Sequence, residues 1–382
     1  MKRVNLKGML FKIAAAILGG VTSSLAFPRE NISPLIFLSV MLLVASVRNS
    51  RAVPALGIGF VGGLAFYLSQ IEWLSLYLGP VPWLALSILE AAIFAIGLMA
   101  IAIVWRWLEA KISSSNKLKN LIIASAIATL WTAREWVSIT LPYGGFPWSR
   151  LAQTQSNSFL SKWVFWGGLG WLTFIIAFLS ALSAVLITSR LKNNRSLTLN
   201  RISVSLALIA ALLIPALTSI NAGAENGTIS VGAVQGNANA GLFSNALRGS
   251  ILKNHLDTSL LLAGKKLDVV VWPENASDLS PFSSAPARKA IEDFINNDIK
   301  VPLIFGTITS RGDNIYNSSI LWKPQVGPTD WYDKKRPVPF AEYVPDRDFW
   351  YQLAPDLIGL VSRGYTFGER DGIFEVKNSK LG

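Results

Sequence analysis

Seven apolar runs occupy the chain before Asn221: Leu10–Phe27, Ile32–Val47, Ala52–Leu68, Trp83–Trp105, Leu121–Val137, Trp171–Ile187 and Ile202–Ile220. A helix needs about 20 predominantly apolar residues to cross the hydrocarbon core of a bilayer. Repeated stretches near that length leave a helical bundle in a membrane as the fold for this half. Composition agrees, with 51% hydrophobic and only 15% charged residues, where globular chains carry roughly 25% charged.

The cations sort by side. Lys2, Arg3 and Lys7 precede the first run, and Arg48 and Arg51 separate the second from the third. Arg106, Lys111, Lys117 and Lys119 follow the fourth, and Arg190, Lys192, Arg195 and Arg201 lie between the sixth and seventh. The alternate loops hold only Arg29, then none, then Arg150 and Lys162. Positively charged short loops stay cytoplasmic, so the N-terminus is expected inside and everything after Ile220 outside. The net charge of +12 then reports topology, and no nucleic-acid partner is expected. The first run, a basic start ending in Ser23-Ser-Leu-Ala-Phe27, also fits a cleaved leader. That reading leaves the following segment outside as well.

Ionisable residues inside apolar runs are functional candidates. Glu90 lies in the fourth run and would mark a proton or substrate route. Arg134 and Glu135, near the outer end of the fifth, fit either such a role or interfacial anchoring beside Trp131 and Trp136. The outer loop Leu141-Pro-Tyr-Gly-Gly-Phe-Pro-Trp-Ser-Arg150 combines turn formers with aromatics, which suits lipid headgroups or a plain interfacial turn.

After Asn221 the pattern changes. Ile229–Gln235, Leu267–Trp272, Val301–Gly306 and Asn317–Trp322 read as strands, with a turn around Pro324–Pro328. Asn245–Lys265 and Ala285–Asn297 read as helices. The alternation predicts a layered α/β fold, giving a helical membrane domain over 1–224 and an extracytoplasmic α/β domain over 225–382.

Two clusters carry candidate chemistry. Trp272-Pro-Glu-Asn275 directly follows a buried strand, and the carboxyl ends of strands in such sheets are where reactive side chains gather; a surface carboxylate in a turn is the plainer alternative. Trp331-Tyr-Asp-Lys-Lys-Arg-Pro-Val-Pro-Phe-Ala-Glu-Tyr-Val-Pro345 could be a solvated face. Pro337 and Pro339, however, restrict the backbone between Lys334 and Glu342. A lysine near two carboxylates can stabilise an oxyanion, and a glutamate can act as general base.

Together, Val234-Gln-Gly-Asn237, Trp-Pro-Glu at Glu274, Tyr-Asp-Lys at Lys334 and Val338-Pro-Phe-Ala-Glu-Tyr-Val-Pro345 resemble the carbon–nitrogen hydrolase (nitrilase) superfamily. Behind a seven-span half containing Gly145-Phe-Pro-Trp148, the pattern resembles the apolipoprotein N-acyltransferases over essentially the whole chain. The resemblance implies an αββα sandwich, incomplete here, and a Glu-Lys-Cys triad at the outer face of a bacterial cell membrane. It implies transfer of a fatty acyl chain from a phospholipid donor, through a thioester, to the amine of a diacylglyceryl-apolipoprotein acceptor. Carried over residue by residue, Glu274 is the general base, Lys334 the oxyanion-stabilising lysine and Glu342 the supporting glutamate; Lys335 ranks below Lys334. No cofactor or metal is implied, and a monomer is expected.

One element departs from that pattern. The family's cysteine lies beyond the lysine, followed by an aromatic and a Glu, whereas this chain has Cys 0. Gly372-Ile-Phe-Glu-Val-Lys-Asn-Ser-Lys-Leu-Gly382 resembles the segment just before that cysteine, so a C-terminally truncated, inactive member is expected. Ser379 is expected in a polar turn with no base nearby and does not replace a thiolate. A membrane-tethered amidase or nitrilase is the alternative enzyme, with water as acceptor. A noncatalytic scaffold or transporter is the third reading. The apolar stretches Phe349–Leu353 and Leu357–Val361 favour a lipid substrate, or else pack on the core.

Overall fold

The computed structural model describes residues 6–113, 115–116, 118–190, 206, 209–210, 213–214, 216–220, 227–238, 247–361 and 363–382. The chain divides into two compact units, Met1–Asn221 and Ala222–Gly382.

In the first unit the apolar runs form α1 (Leu6–Ser24), α2 (Leu35–Ser46), α3 (Ala52–Gln70), α4 (Pro80–Lys111), α5 (Lys119–Ser138) and α6 (Trp163–Arg190). Among the described residues four stretches are long and apolar enough to cross a membrane: α1, α3, α4 and Phe159–Thr188, which contains most of α6. The 12 residues of α2 span only about 18 Å. The 20 residues of α5 include Arg134 and Glu135, which lower its hydropathy. About half of the seventh expected run, Ile202–Ile220, lies outside the described residues. The unit is that of a multi-pass membrane protein.

Local chemistry sets several of these boundaries. Pro80 opens α4 after Gly79, whose φ is +75°; proline suits a first helical position, where an N–H would go unused. At 32 residues α4 extends about 48 Å, longer than the hydrocarbon core, and carries Arg106, Glu109 and Lys111 in its last turns. Gly168, with φ +72°, breaks α6 near its start.

The six helices close into a ring in which α1 packs on α2 and α3, α3 on α4, α4 on α5, α5 on α6, and α6 on α2. Small residues permit the close approach that membrane helices use in place of a hydrophobic driving force. A Cβ at Gly20 of α1 would stand 2.6 Å from the Gly62 carbonyl oxygen of α3. At the end of the ring where α2 turns into α3, Lys12 Nζ donates to the Arg48 carbonyl (2.6 Å) and Ser50 Oγ (2.7 Å). Arg106 donates to the Ser50 carbonyl (3.1 Å), and Arg48 pairs with Glu109 (3.1 Å). Two cations that signal topology in the sequence are thus also fixed by contacts, Arg106 on a loop carbonyl and Arg48 on a carboxylate.

The polar residues of the apolar runs face inward. Glu90 is buried and accepts from Ser138 Oγ at 2.6 Å, so the partner that the sequence did not reveal comes from α5. Arg134 and Glu135 are both buried, unlike exposed Trp136, which removes interfacial anchoring as their role. The Arg134 guanidinium lies over Phe94 (4.7 Å) and Trp131 (4.9 Å) and donates to Tyr67 Oη (3.2 Å). The Glu135 carboxylate accepts from Arg150 Nε (3.1 Å), Leu151 N (3.1 Å) and Thr173 Oγ1 (2.8 Å). That set fastens the end of the 141–150 loop to α5 and α6.

The second unit is built on a five-stranded sheet in the order β1 (Val231–Ala233), β2 (Val269–Val271), β3 (Leu303–Arg311), β4 (Asn314–Lys323), β5 (Gly327–Asp333). The first three strands are parallel and the last two antiparallel. Helices α7 (Ser250–Ser259) and α8 (Ala285–Asp293) make the parallel crossovers, α8 running on into a π-helical turn, Phe294–Ile299. The sequence places strands correctly but undersizes two features. The third and fourth strands form a long hairpin about Gly312-Asp313, in which Arg311 pairs with Asn314 and Gly312 has φ +58°, as a two-residue hairpin turn requires. The segment 327–333, read as turn and charged cluster, is a strand. Two short helices, α9 (Arg347–Leu353) and α10 (Pro355–Gly359), precede a β6 (Phe374–Val376) and β7 (Ser379–Leu381) hairpin. Ser379 therefore begins a strand, paired with Val376, and is not in a turn.

Alternation along each strand sends side chains to two faces. One face presents Val270, Trp272, Leu303, Phe305, Ile320 and Trp322 to Leu252, Ala287, Ile291 and Phe294 of the helical layer. The other presents Val269, Ile304 and Leu321, covered by Phe374 and Val376 of the small hairpin. A sheet with helices on one face and a β-hairpin on the other is a partial nitrilase-like layering.

Candidate active site

Glu274 sits where β2 ends. The ladder continues one step past the strand, Gly306 N donating to the Pro273 carbonyl at 3.2 Å, and the chain then turns through Asn275 at φ +52°. This turn crosses directly over Gly306 of β3. A Cβ there would stand 2.6 Å from Asn275 N and 2.7 Å from Glu274 Cα, so only glycine lets the two backbones touch. The Glu274 side chain emerges 54% exposed.

Lys334 follows the last residue of β5. Its N–H donates to the Asn317 carbonyl (2.8 Å), extending the β4–β5 pairing, and its own carbonyl accepts from Gly368 N (3.0 Å). Asp333, just before it, accepts from Ser318 Oγ (2.6 Å) and pairs with Arg311. Glu342 lies in a loop that closes on itself. Glu342 N donates to the Val338 carbonyl (2.8 Å), Val338 N to Glu342 Oε2 (2.6 Å), and Phe340 N to the Tyr343 carbonyl (2.7 Å). Pro337 and Pro339 restrict the backbone of this loop, which holds the carboxylate 13% exposed.

These three segments converge. Lys334 Nζ lies 2.8 Å from Glu274 Oε1 and 3.0 Å from Glu342 Oε2. Lys335 pairs instead with Asp371 (2.6 Å). Burial disfavours the Lys334 ammonium, but its bonds to Glu274 and Glu342 outweigh burial and raise its pKa above the ordinary lysine value. The group is therefore a persistent cation, able to stabilise an anion and unable to serve as a base near neutrality. Glu274 is the most exposed of the three.

Two neighbours escaped the sequence reading. Asn317, buried in β4, donates from Nδ2 to Glu274 Oε1 and to Glu342 Oε1, the latter at 2.7 Å. The available signal was a carboxamide at the head of a stretch that reads as a buried strand, an uncommon buried residue type. Tyr365 donates its N–H to the Glu342 carbonyl (2.8 Å). Its phenol is raised in pKa by burial first, then by the Glu342 and Glu274 charges. Nothing in its local sequence marks it. Among the described residues no group of three or more His, Cys, Asp or Glu is placed to hold a metal.

Similarity to known proteins bears on both units. A model of the apolipoprotein N-acyltransferase N-terminal domain matches residues 19–182, which cover the six-helix ring except most of α1 and the end of α6. The apolipoprotein N-acyltransferase of Mycolicibacterium smegmatis is 35% identical over 161 residues, 38% of this chain and 27% of that protein. That of Coxiella burnetii is 27% identical over 281 residues, 72% of this chain and 56% of that protein. That of Haemophilus influenzae is 24% identical over 369 residues, 88% of this chain and 64% of that protein. The chain thus spans less than two thirds of the length of these relatives. A matched helical unit, relatives of one name across most of the chain, and a partial nitrilase-like sheet point one way: the first half carries a match to the apolipoprotein N-acyltransferase N-terminal domain, and the chain is similar over most of its length to proteins of that name.

Proposed function

We propose that the protein takes part in lipoprotein maturation, transferring a fatty acyl chain from a membrane phospholipid to the N-terminal diacylglyceryl-cysteine amine of apolipoproteins. The observation that carries this reading is the Lys334 ammonium held within 3.0 Å of both Glu274 and Glu342. Acyl transfer needs a base to take the proton of the attacking group and a fixed positive charge where the carbonyl oxygen becomes negative. Glu274 supplies the first and Lys334 the second, while Glu342 keeps the ammonium charged and in place. In the reaction that the resemblance implies, a thiol gives its proton to Glu274 and attacks the ester carbonyl, forming a thioester. The lysophospholipid alkoxide leaves with that proton, and the lipoprotein amine then displaces the thiol, which recovers a proton by way of Glu274. The 382 residues hold Cys 0, so this chain contributes the acid–base and electrostatic groups, and by itself is expected to form no thioester.

We place the second unit on the extracytoplasmic side, on the strength of the cation asymmetry between alternate loops. The membrane unit, and apolar side chains such as Phe349 and Leu353 exposed in α9, favour a lipid acyl donor over the small soluble amide of a hydrolase.

The test is an acyl-transfer assay with phospholipid vesicles and a diacylglyceryl peptide. The 382-residue chain alone should neither become acylated nor modify the peptide. A chimera joining the remaining C-terminal part of the Haemophilus influenzae relative after Gly382 should do both, and Glu274→Gln or Lys334→Met in it should abolish both. Acylation of the short chain, or a chimera indifferent to Glu274, overturns the assignment.

A further inference from the structure

We infer that Asn317 is a positioning residue of this site, its carboxamide NH2 pinning the Glu274 and Glu342 carboxylates around the Lys334 ammonium. The inference rests on the reading above only in calling Glu274 the base. Its geometry stands on contacts at both ends of the same residue. At the side chain, Nδ2 donates to Oε1 of Glu274 and to Oε1 of Glu342. At the backbone, the Asn317 carbonyl accepts from Lys334 N at 2.8 Å. All three charged residues are thereby referred to one point in β4.

The chemistry accounts for a carboxamide at this position. Two carboxylates drawn to one ammonium repel each other, and a single lysine cannot hold both in fixed orientations. A neutral NH2 group offers two N–H bonds and adds no charge, so both carboxylates can remain anionic beside Lys334. Because both partners are acceptors, only the amide orientation with nitrogen facing them is consistent. The bonds from Asn317 and Lys334 to Glu274 both fall on Oε1. Glu274 is thereby left with Oε2 as its proton-accepting oxygen. Burial of Asn317 within β4 keeps the amide from rotating away.

The test reads Lys334 directly and needs no acyl transfer. The full 382-residue chain in detergent micelles is labelled competitively with acetic anhydride across a pH series, with Lys289 and Lys323 as reference sites read by mass spectrometry. Only neutral amine reacts, so each unit of pKa change alters the rate about tenfold below the pKa. Asn317→Leu, which keeps the volume and loses both donors, should free the carboxylates and speed Lys334 labelling severalfold at pH 8 to 9. Asn317→Asp, which keeps the shape and adds negative charge, should slow it. A packing role alone would leave Lys334 at its wild-type rate in Asn317→Leu, and that result overturns the inference. If the reference lysines also accelerate in Asn317→Leu, that variant has unfolded and Asn317→Asp decides: a wild-type or faster Lys334 rate in it overturns the inference. Should Glu274→Gln and Glu342→Gln release Lys334 while Asn317→Leu does not, the asparagine is a bystander, and the charged site survives without it. A failed acyl-transfer assay with the expected labelling pattern would remove the proposed activity and leave the positioning role intact.

Discussion

Gly306 supports Glu274 from below so closely that a methyl group on it would lie 2.7 Å from the Glu274 α-carbon. The neighbouring atoms are backbone, with Asn275 N at 2.6 Å and the Pro273 carbonyl oxygen at 2.8 Å. A side chain could rotate aside, but these atoms can yield only by moving the strand end that carries Glu274. Gly306→Ala is therefore expected to destabilise the second unit by about 1–3 kcal/mol, the usual cost of overpacking, and to displace Glu274. Gly359→Ala, where a Cβ meets nothing within 4 Å, is the matched control. Urea unfolding of both variants, followed by tryptophan fluorescence, checks the difference, and equal midpoints would contradict it.

The Lys334 ammonium gives the second unit an alkaline limit. Its folded pKa lies above the unfolded value because the bonds to Glu274 and Glu342 outweigh burial. A group shifted in that direction stabilises fully below its unfolded pKa, about 10.4 for lysine, and loses that contribution as pH rises through the folded value. The difference in unfolding free energy between the wild-type chain and Lys334→Met should hold constant to about pH 10 and shrink above it. Denaturation curves at stepped pH measure this directly. A difference that grew with pH would mean that the carboxylates do not hold the charge.

Glu135 and Arg150 form a mostly buried pair at 3.1 Å, with side-chain exposures of 5% and 17%. Removing one partner of such a pair strands the other charge, at a cost of about 3–5 kcal/mol. Arg150→Ala should lower the thermal midpoint of the detergent-solubilised chain sharply. Glu135→Gln should lower it less, because the amide oxygen can still accept from Leu151 N and Thr173 Oγ1. A reversed order would indicate that the pair does not fasten the loop.

A reporter fused directly after Asn221 should be active only outside the cytoplasm. The paired tests are an alkaline phosphatase fusion, expected to be active, and a green fluorescent protein fusion, expected to be dark. The opposite pattern would reverse the orientation proposed for the second unit.

Membrane helices and buried strands were legible in the sequence because their signal is local. Runs such as Ala52–Leu68 and Val301–Gly306 announce burial by what lies within one turn or one pleat of each residue. The end of the β2 strand at Trp272-Pro273 likewise showed where a side chain would be presented. The extent of elements was harder to read. The segment 327–333 contains Pro328 and charged residues and is a strand because β4 lies beside it to pair with, not through intrinsic preference.

Which polar atoms meet was decided only by the tertiary structure. Asn317 reaches Glu274 across 43 positions and Glu342 across 25, because β4 runs between the strand below Glu274 and the strand that ends just before Lys334. Glu90 gained Ser138, and Arg134 gained Tyr67, only when α3, α4 and α5 packed together. Apolar burial depends on how much surface leaves water, which a linear pattern encodes. A hydrogen bond depends on distance and angle between two atoms, and the register of separate elements sets those. The sequence by itself therefore determined the two-part architecture and the identities of Glu274, Lys334 and Glu342 as candidates. Their convergence on one ammonium, and the amide that holds them there, came from the fold.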